Sequence, residues 1–361
     1  MVARWTPGAG IPISVAQMIA IRNPSVRFSC PAGVASSRRK RSVPDRLDTL
    51  PGVPRLYGGP AGAGQGDCLR PSQLLWGALG GGAEVAGSGH EEIHDEGMTA
   101  MRVWIAGAGY GRGRVLDAEE ARISVLDHGI TVGDGVFETL KGVAGQPFAL
   151  TRHLRRLAHS AAGIGLPALD LDLIADGVRQ AMDANPEMEP ARVRITVTGG
   201  SGPLGSERTG AEPTCIVAVG PFPAAAATAD VTVVPWKRNE NGALTGLKTT
   251  SYAENVLALE YAKERGGAEA IFANTVGDLC EGTGSNIFVV LDGRLLTPPL
   301  WAGPLAGITR ELVLEWAGGE EVNIPMSALG RISEAFLTST GRDVQPIRAI
   351  DGRALPAAPG P

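Results

Sequence analysis

Cysteine is scarce in this chain, and its four copies lie far apart. Cys30, Cys68, Cys215 and Cys280 form no Cys-x-x-Cys pair, so the spacing typical of a zinc ribbon or a disulfide framework is missing. Because disulfide frameworks belong to oxidising compartments, this usage fits a cytoplasmic protein.

Long apolar runs and an excess of positive charge are also missing. No window approaches the roughly 18 apolar residues of a membrane helix, and no compact apolar segment with a cleavage site follows Met1. The sequence therefore predicts neither export nor membrane insertion. The formal net charge is −5, whereas neutralising nucleic-acid phosphates needs surplus lysine and arginine on one face. The expected partners are small molecules.

Residues 1–97 show no sustained helical or strand period and are rich in glycine, proline, serine and arginine. Such a segment buries too little apolar surface to offset the entropy of ordering it. We expect a disordered extension, with the true translation start at Met98 or Met101. The basic run at 37–42 is interpreted as a solvated charge cluster within it.

The sequence His-Glu-Glu-Ile-His, from His90 to His94, matches the pattern of zinc proteases. That site needs a rigid buried helix and a third ligand, whereas this motif lies in the predicted disordered extension. We therefore expect no metal site. A zinc hydrolase and a non-catalytic binding protein are kept only as functions of a different class.

From Met101 onward, strand-like and helix-like stretches alternate, which predicts an α+β fold. Helices are expected at about 151–164, 169–184, 252–265 and 308–317, the third opened by a capping box from Ser251 to Glu254. Strand-like stretches are expected at 102–106, 114–117, 135–143, 191–198, 214–219, 230–236, 269–273, 286–291, 294–297 and 334–339, with a further stretch of this texture at 121–126.

The segment 220–227, Gly-Pro-Phe-Pro and four alanines, cannot continue a strand and predicts an interdomain linker. A small N-terminal α+β domain at 101–219 and a larger C-terminal one at 228–361 follow from it. Two Gly-rich loops lack the context of nucleotide sites. The loop at 107–113 precedes a strand-like stretch, which favours a hairpin, and the loop at 199–205 lacks Gly-Lys-Ser/Thr.

Lysine is rare, with five copies, and Lys248 lies between a predicted strand and a predicted helix. Two rigid elements would hold its amine, as covalent catalysis requires. By position alone an ordinary surface lysine is the simpler interpretation. Five blocks in order around it favour the catalytic one, at 127–139, 153–157, 246–248, 279–288 and 306–310.

Together these blocks resemble the class-IV aminotransferase family, the fold-type-IV enzymes of pyridoxal 5′-phosphate (PLP). That family includes branched-chain and D-amino-acid aminotransferases and 4-amino-4-deoxychorismate lyase. The resemblance covers 101–361 and none of 1–97. It implies a two-domain α+β fold and a homodimer whose sites lie near the subunit interface.

The resemblance also implies the cofactor site. Lys248 would carry PLP as a Schiff base, and Glu281 would pair with the pyridine nitrogen, where a carboxylate favours the protonated ring. A predicted helix start attracts anions, and an arginine adds a bidentate donor. The phosphate would accordingly be held by Arg156, the backbone of Ile308 and Thr309, Ser339 and Thr340. Arg155 is interpreted as surface charge.

Three further residues stay open. Glu138 and Thr139 either line the substrate side or serve strand packing. Tyr252, four residues after Lys248, could approach the cofactor's phenolic oxygen, but its match to the family is uneven and it is not counted among the predicted site residues.

Two features favour the lyase within this family. The recognisable region is compact, and Thr198-Gly-Gly stands where D-amino-acid aminotransferases have Thr-Arg-Gly, so an arginine that would clamp an α-carboxylate is missing. We predict conversion of 4-amino-4-deoxychorismate to 4-aminobenzoate and pyruvate in folate synthesis. The alternative is a class-IV aminotransferase acting on branched-chain or D-amino acids.

Overall fold

The computed structural model describes residues 101–107 and 109–359. The predicted disordered extension, the basic run at 37–42 and the motif from His90 to His94 lie outside the described residues. Among the described helices, none is long and apolar enough to cross a membrane. The described residues also contain no group of three or more His, Cys, Asp or Glu that could hold a metal ion.

The described chain alternates strands with α-helices. The strands are β1 (Arg102–Ala106), β2 (Arg114–Asp117), β3 (Gly135–Val143), β4 (Gln146–Pro147), β5 (Ala191–Thr198), β6 (Thr214–Pro221), β7 (Ala229–Arg238), β8 (Glu269–Asn274), β9 (Leu279–Gly282), β10 (Asn286–Leu291), β11 (Arg294–Thr297), β12 (Glu320–Glu321), β13 (Glu334–Ser339), β14 (Asp343–Ile350) and β15 (Arg353–Ala354). The helices are α1 (His128–Thr131), α2 (Leu150–Gly163), α3 (Leu171–Asp183), α4 (Ala253–Lys263) and α5 (Ile308–Trp316).

The first sheet is antiparallel, with the order β2-β1-β6-β5-β3-β4. Helices α2 and α3 pack their apolar stripes on it and close a core around the fully buried Trp104, Leu157 and Val193. Gly177 of α3 permits the close approach, because a Cβ there would lie 2.6 Å from the Trp104 ring. The packing of this helix against the sheet therefore requires glycine at that position.

The second sheet is mixed, with the order β12-β11-β10-β13-β14-β7-β8-β9 and β15 added to β14. Parallel pairing joins β14 to β7 and β7 to β8, while β10, β13 and β14 are antiparallel neighbours. Every residue of β8 is buried, as expected of a strand covered on both faces. The two sheets and their helices confirm the α+β fold class.

The segment that carries Lys248 joins the second half of the chain to the first sheet. Phe137 N donates to Lys248 O at 3.0 Å, and Thr250 N donates to Gly135 O at 2.8 Å. Thr249 forms an isolated bridge with Val136. The lysine is thus fixed along the start of β3.

Three sequence expectations differ from the structure. Residues 121–126 form no strand or helix, and Val125 is 79% exposed. Strand β6 continues through Gly220 and Pro221 into the predicted linker, which a proline without an N–H permits at a strand end. The division into domains at that linker stays a prediction.

The predicted capping box at Ser251 is wrong. Tyr252 occupies the cap position of α4 without a side-chain hydrogen bond. Ser251 Oγ instead donates to Gly133 O at 3.1 Å, and Glu254 pairs with Arg238. Both side chains of the motif therefore interact with residues outside the helix instead of capping it.

Candidate active site

A cavity of about 1070 Å³ is lined by residues of both sheets, the start of α5 and the segment between β6 and β7. All of the residues predicted to bind the cofactor line it. They are Arg156, Lys248, Glu281, Ile308, Thr309, Ser339 and Thr340.

Lys248 has a fixed backbone and an amine set over aromatic rings. Its N–H donates to Ser160 Oγ at 3.0 Å. Its Nζ lies 4.3 Å from the centre of the Phe137 ring and 5.7 Å from that of Tyr252. Burial, together with the positive charge of Arg156, lowers the pKa of Lys248 to about 8. The neutral, nucleophilic amine is therefore accessible near neutral pH.

Glu281 supplies a mostly buried carboxylate to the same cavity. Its Oε2 accepts a hydrogen bond from Leu305 N at 2.9 Å, and its Oε1 lies 3.6 Å from Arg238 Nε. Burial raises the pKa of Glu281, while the Arg238 guanidinium and the Leu305 N–H act in the opposite direction. A cationic ligand atom placed beside this carboxylate would favour its ionised form.

Arg156 is held in place by the carboxylate of Glu138. Its Nε and Nη2 donate to Glu138 at 2.7 and 2.8 Å, and its Nη1 donates to Ala306 O at 2.8 Å. The fully buried Glu138 also binds His153 Nδ1 at 2.7 Å. Burial would raise the pKa of Glu138, but the hydrogen bonds from Arg156 and His153 outweigh it and lower that pKa to about 2. Glu138 thus orients a cavity arginine, a role that sequence reasoning missed.

Helix α5 begins at the cavity with its N-terminus open. Its cap residue is Gly307, which makes no side-chain hydrogen bond, so no cap side chain occupies the first N–H groups of the helix. A Cβ on Gly307 would lie 1.8 Å from Asn286 Oδ1. Asn286 Nδ2 also donates to Leu305 O at 2.8 Å. Asn286 therefore positions the helix start, and only glycine fits against it.

Hydroxyl groups at the end of β13 complete this part of the cavity. The buried Thr338 Oγ1 has no hydrogen-bond partner among the described residues. Ser339 Oγ accepts from Arg342 N at 3.1 Å, which leaves its own hydrogen available. An uncapped helix start, a guanidinium and free hydroxyls are together the donor set that suits a phosphate monoester.

Two arginines on β5 line the cavity and were missed by sequence reasoning. The Arg194 guanidinium lies 3.9 Å from the Phe137 ring centre, and Arg192 lies 5.4 Å from that of Phe222. Neither forms an ion pair with another described residue, and burial lowers the pKa of Arg194. Their i, i+2 spacing puts both on one face of the strand. That spacing could have indicated a binding face in the sequence. However, arginine at alternate positions is equally typical of a strand face exposed to solvent.

Three comparisons place these features among known proteins. The family model described as amino-transferase class IV matches residues 135–350. The chain is 35% identical to a putative branched-chain-amino-acid aminotransferase of Methanocaldococcus jannaschii, over 68% of this chain and 88% of that protein. It is 31% identical to a bifunctional aminodeoxychorismate lyase / D-amino acid transaminase of Mycobacterium tuberculosis, over 63% and 85%.

A solved structure is similar over the same region. It is the PLP-bound form of a hypothetical aminotransferase from Mycobacterium tuberculosis, 27% identical, with a TM-score of 0.63, and the match covers 72% of this chain and 94% of that one. The fold predicted from the resemblance is confirmed by this likeness.

Proposed function

The chain belongs to the amino-transferase class IV family of PLP-dependent enzymes, and on that premise we propose that it transfers an amino group between an amino acid and a 2-oxo acid. The observation that carries the proposal is the Lys248 amine, whose pKa of about 8 leaves it a nucleophile in a cavity shared with Glu281 and Arg156. The relatives named as aminotransferases support the same reaction.

The residues present fit PLP from end to end. Arg156, the N–H groups of Ile308 and Thr309, and the hydroxyls of Ser339 and Thr340 would hold the phosphate. Glu281 would face the pyridine nitrogen. When bound, PLP supplies a ring that accepts electrons from the substrate carbon that loses a proton.

Lys248 would have two roles in this chain. Its neutral amine would hold the cofactor through its aldehyde group. When it is not bound to the cofactor, the same Nζ would act as the general base that takes a proton from the substrate carbon and holds it for return. The phenyl ring of Phe137, 4.3 Å from Nζ, keeps the amine in a water-poor setting in which its pKa stays depressed.

Arg192 and Arg194 indicate the substrate class. Two guanidinium groups without an anionic partner among the described residues line the cavity, and an arginine binds a carboxylate through two parallel hydrogen bonds. We propose that they bind the carboxylates of the amino acid and of a dicarboxylic 2-oxo acid such as 2-oxoglutarate. This pair offers a substitute for the arginine that is missing at Thr198-Gly-Gly.

Amino-transfer assays test the proposal directly. The PLP-loaded protein is incubated with L- and D-alanine, leucine or glutamate and a matching 2-oxo acid, and the new amino acid is measured. We expect transfer with at least one donor. Arg194→Met should raise the KM for 2-oxoglutarate about tenfold or more, the effect of losing one charge-assisted pair. Arg331→Met, at an arginine that does not line the cavity, is the matched control.

A second reaction has specific support. One relative is named both as an aminodeoxychorismate lyase and as a D-amino acid transaminase, and aminodeoxychorismate carries two carboxylates that Arg192 and Arg194 could bind. Incubation with aminodeoxychorismate separates the candidates. Release of 4-aminobenzoate without amino transfer in any assay would replace the aminotransferase proposal with the lyase, whereas amino transfer without 4-aminobenzoate would reject the lyase.

A further inference from the structure

Glu269 is a buried carboxylate that lines the cavity between two turns of its wall. It begins β8 and is 2% exposed. Its Oε1 accepts a hydrogen bond from Thr283 N at 3.1 Å, and its Oε2 accepts one from Ser285 Oγ at 3.0 Å. The same Oε2 lies 3.4 Å from Arg342 Nε. Both oxygens are therefore engaged, as a buried charge requires.

The first of these turns, residues 283–285, is hydrogen-bonded to a neighbour of Lys248. Thr283 Oγ1 also donates to Glu269. Thr283 O accepts hydrogen bonds from Tyr252 Oη at 3.2 Å and from Asn255 Nδ2 at 2.5 Å. Because the Tyr252 ring lies beside Lys248, the placement of this turn fixes a neighbour of the amine.

The second turn, residues 339–342, contains two of the proposed phosphate ligands, Ser339 and Thr340. Arg342 Nη2 donates to Ala268 O at 2.7 Å, next to Glu269 in the chain. Arg342 N donates to Ser339 Oγ at 3.1 Å. The arginine that pairs with Glu269 thus also fixes the Ser339 hydroxyl.

We infer that Glu269 is a positioning residue that sets the spacing between the 283–285 turn and the 339–342 turn, and so shapes the phosphate end of the cavity. It acts through Thr283 and Arg342, because its own oxygens are engaged by them. The inference rests on the proposed function only for the identity of the bound group.

The substitution Glu269→Gln should affect the contacts of the two turns differently. One oxygen remains to accept from Thr283, while the new amide N–H₂ can point at Ser285 Oγ, which is able to accept. That amide then also faces Arg342 Nε, and two donors cannot pair. The variant removes the counter-charge of Arg342, which keeps its hydrogen bonds to Ala268 O and Gln345, and so loosens the 339–342 turn. The contacts of the 283–285 turn remain.

The experiment compares ligands with and without a phosphate. Apoprotein is titrated with PLP and with pyridoxal, and absorbance gives each Kd. For Glu269→Gln we expect the Kd for PLP to rise roughly tenfold, equivalent to about 1.4 kcal/mol, and that for pyridoxal by less than about twofold. Equal losses for both ligands, or no loss, would overturn the inference, because a general structural defect does not distinguish the phosphate.

Three further arms make the result decisive. Glu320→Gln, in the exposed ion pair with Arg294 of the same sheet, should change neither Kd. Arg342→Met should reproduce the PLP-specific rise in Kd, and this variant tests the inference even if Glu269→Gln does not fold. In the Arg342→Met protein, adding Glu269→Gln should raise the Kd for PLP by less than about twofold more. Full additivity would contradict the proposed link.

The failure of the proposed function is recognised separately. If the wild-type protein binds no PLP, that function is wrong. The inference is then decided by inorganic phosphate, whose affinity for the apoprotein, measured by calorimetry, should fall about tenfold in Glu269→Gln. An unchanged phosphate affinity would overturn it.

Discussion

At the scale of single residues, the site depends on two groups whose pKa values differ from their ordinary ones, Lys248 through burial and Glu138 through its hydrogen bonds. The pKa of Lys248 is lowered to about 8, so that part of the amine is neutral near neutral pH, and Glu138 stays ionised although it is fully buried. The two effects are linked through Arg156, which binds Glu138 and adds positive charge near Lys248. Sequence reasoning predicted the lysine and the arginine as site residues from the family motifs that they match. It could not assign Glu138, because an acidic residue within a strand shows its partner only after the chain has folded.

The rate of cofactor attachment should depend on the pKa of Lys248. Only the neutral amine attacks an aldehyde, so attachment to apoprotein should accelerate as the pH rises from 6.5 to 9.5, with a midpoint near 8. Stopped-flow absorbance measures this rate. A flat profile, or a rate that still rises about tenfold per pH unit at pH 9.5 as an ordinary lysine would give, would contradict the environment described for this amine.

Glu138→Gln should weaken both the fold and the cofactor site. The amide keeps one acceptor and leaves Arg156 or His153 without its partner, which should lower the free energy of unfolding by about 2–3 kcal/mol. Because the folded-state pKa of Glu138 is depressed to about 2 from 4.5, its contribution is fully present above pH 4.5 and is lost as the pH falls towards 2. Urea unfolding at pH 7 and at lower pH should therefore show a difference that shrinks on acidification.

At the scale of elements, the start of α5 and the turn after β13 build the proposed phosphate site. The sequence predicted the helix within one residue, because its apolar period is clear. The strand β14 was not predicted, since a proline and two charged residues interrupt its apolar alternation. The capping box at Ser251 failed for a different reason. A motif that satisfies a helix locally can be overridden when tertiary partners offer better hydrogen bonds, as Gly133 and Arg238 do.

Gly307→Ala should disturb this element selectively. The added methyl would meet Asn286 Oδ1 at 1.8 Å, so the helix start or the asparagine must move. We expect the Kd for PLP to rise by about tenfold or more while the helix content by circular dichroism is kept. Gly330→Ala, where nothing lies within 4 Å of the new Cβ, is the matched control. Equal affinities for the two variants would refute this role of the helix start.

At the scale of the whole described chain, residues of both sheets line the cavity. Lys141 of β3 binds both oxygens of Asp343 of β14, at 2.8 and 2.7 Å, and joins the sheets near the 339–342 turn. The α+β class and the order of most elements could be predicted, because apolar periods and turn residues are local signals. The pairing across the cavity could not, since it depends on which sheet edges meet. The homodimer implied by the resemblance stays a prediction, which light scattering can test.

Lys141→Met tests the link between the sheets. Removing one partner of this largely buried pair leaves Asp343 without its counter-charge and should lower the free energy of unfolding by about 1–3 kcal/mol. Asp343→Asn in the same chain should recover part of the loss. Arg294→Met, in an exposed pair with Glu320, should cost at most about 1 kcal/mol. If chemical denaturation gives Lys141→Met and Arg294→Met the same loss of unfolding free energy, the link between the sheets is not stabilising.

Deletion of residues 1–97 belongs to the same scale. The family resemblance covers none of residues 1–97, so we expect a chain starting at Met98 to keep its PLP affinity and its kcat. A loss of either on truncation would show that the segment contributes to the active enzyme.

The most direct test of the assignment is chemical. The protein is incubated with PLP, reduced with borohydride, digested, and analysed by mass spectrometry for the peptide that carries the cofactor. We predict one labelled peptide, with the pyridoxyl group on Lys248, and no label in Lys248→Ala. A protein that stays unlabelled, or one labelled equally at Lys141 or Lys263, would contradict the assignment.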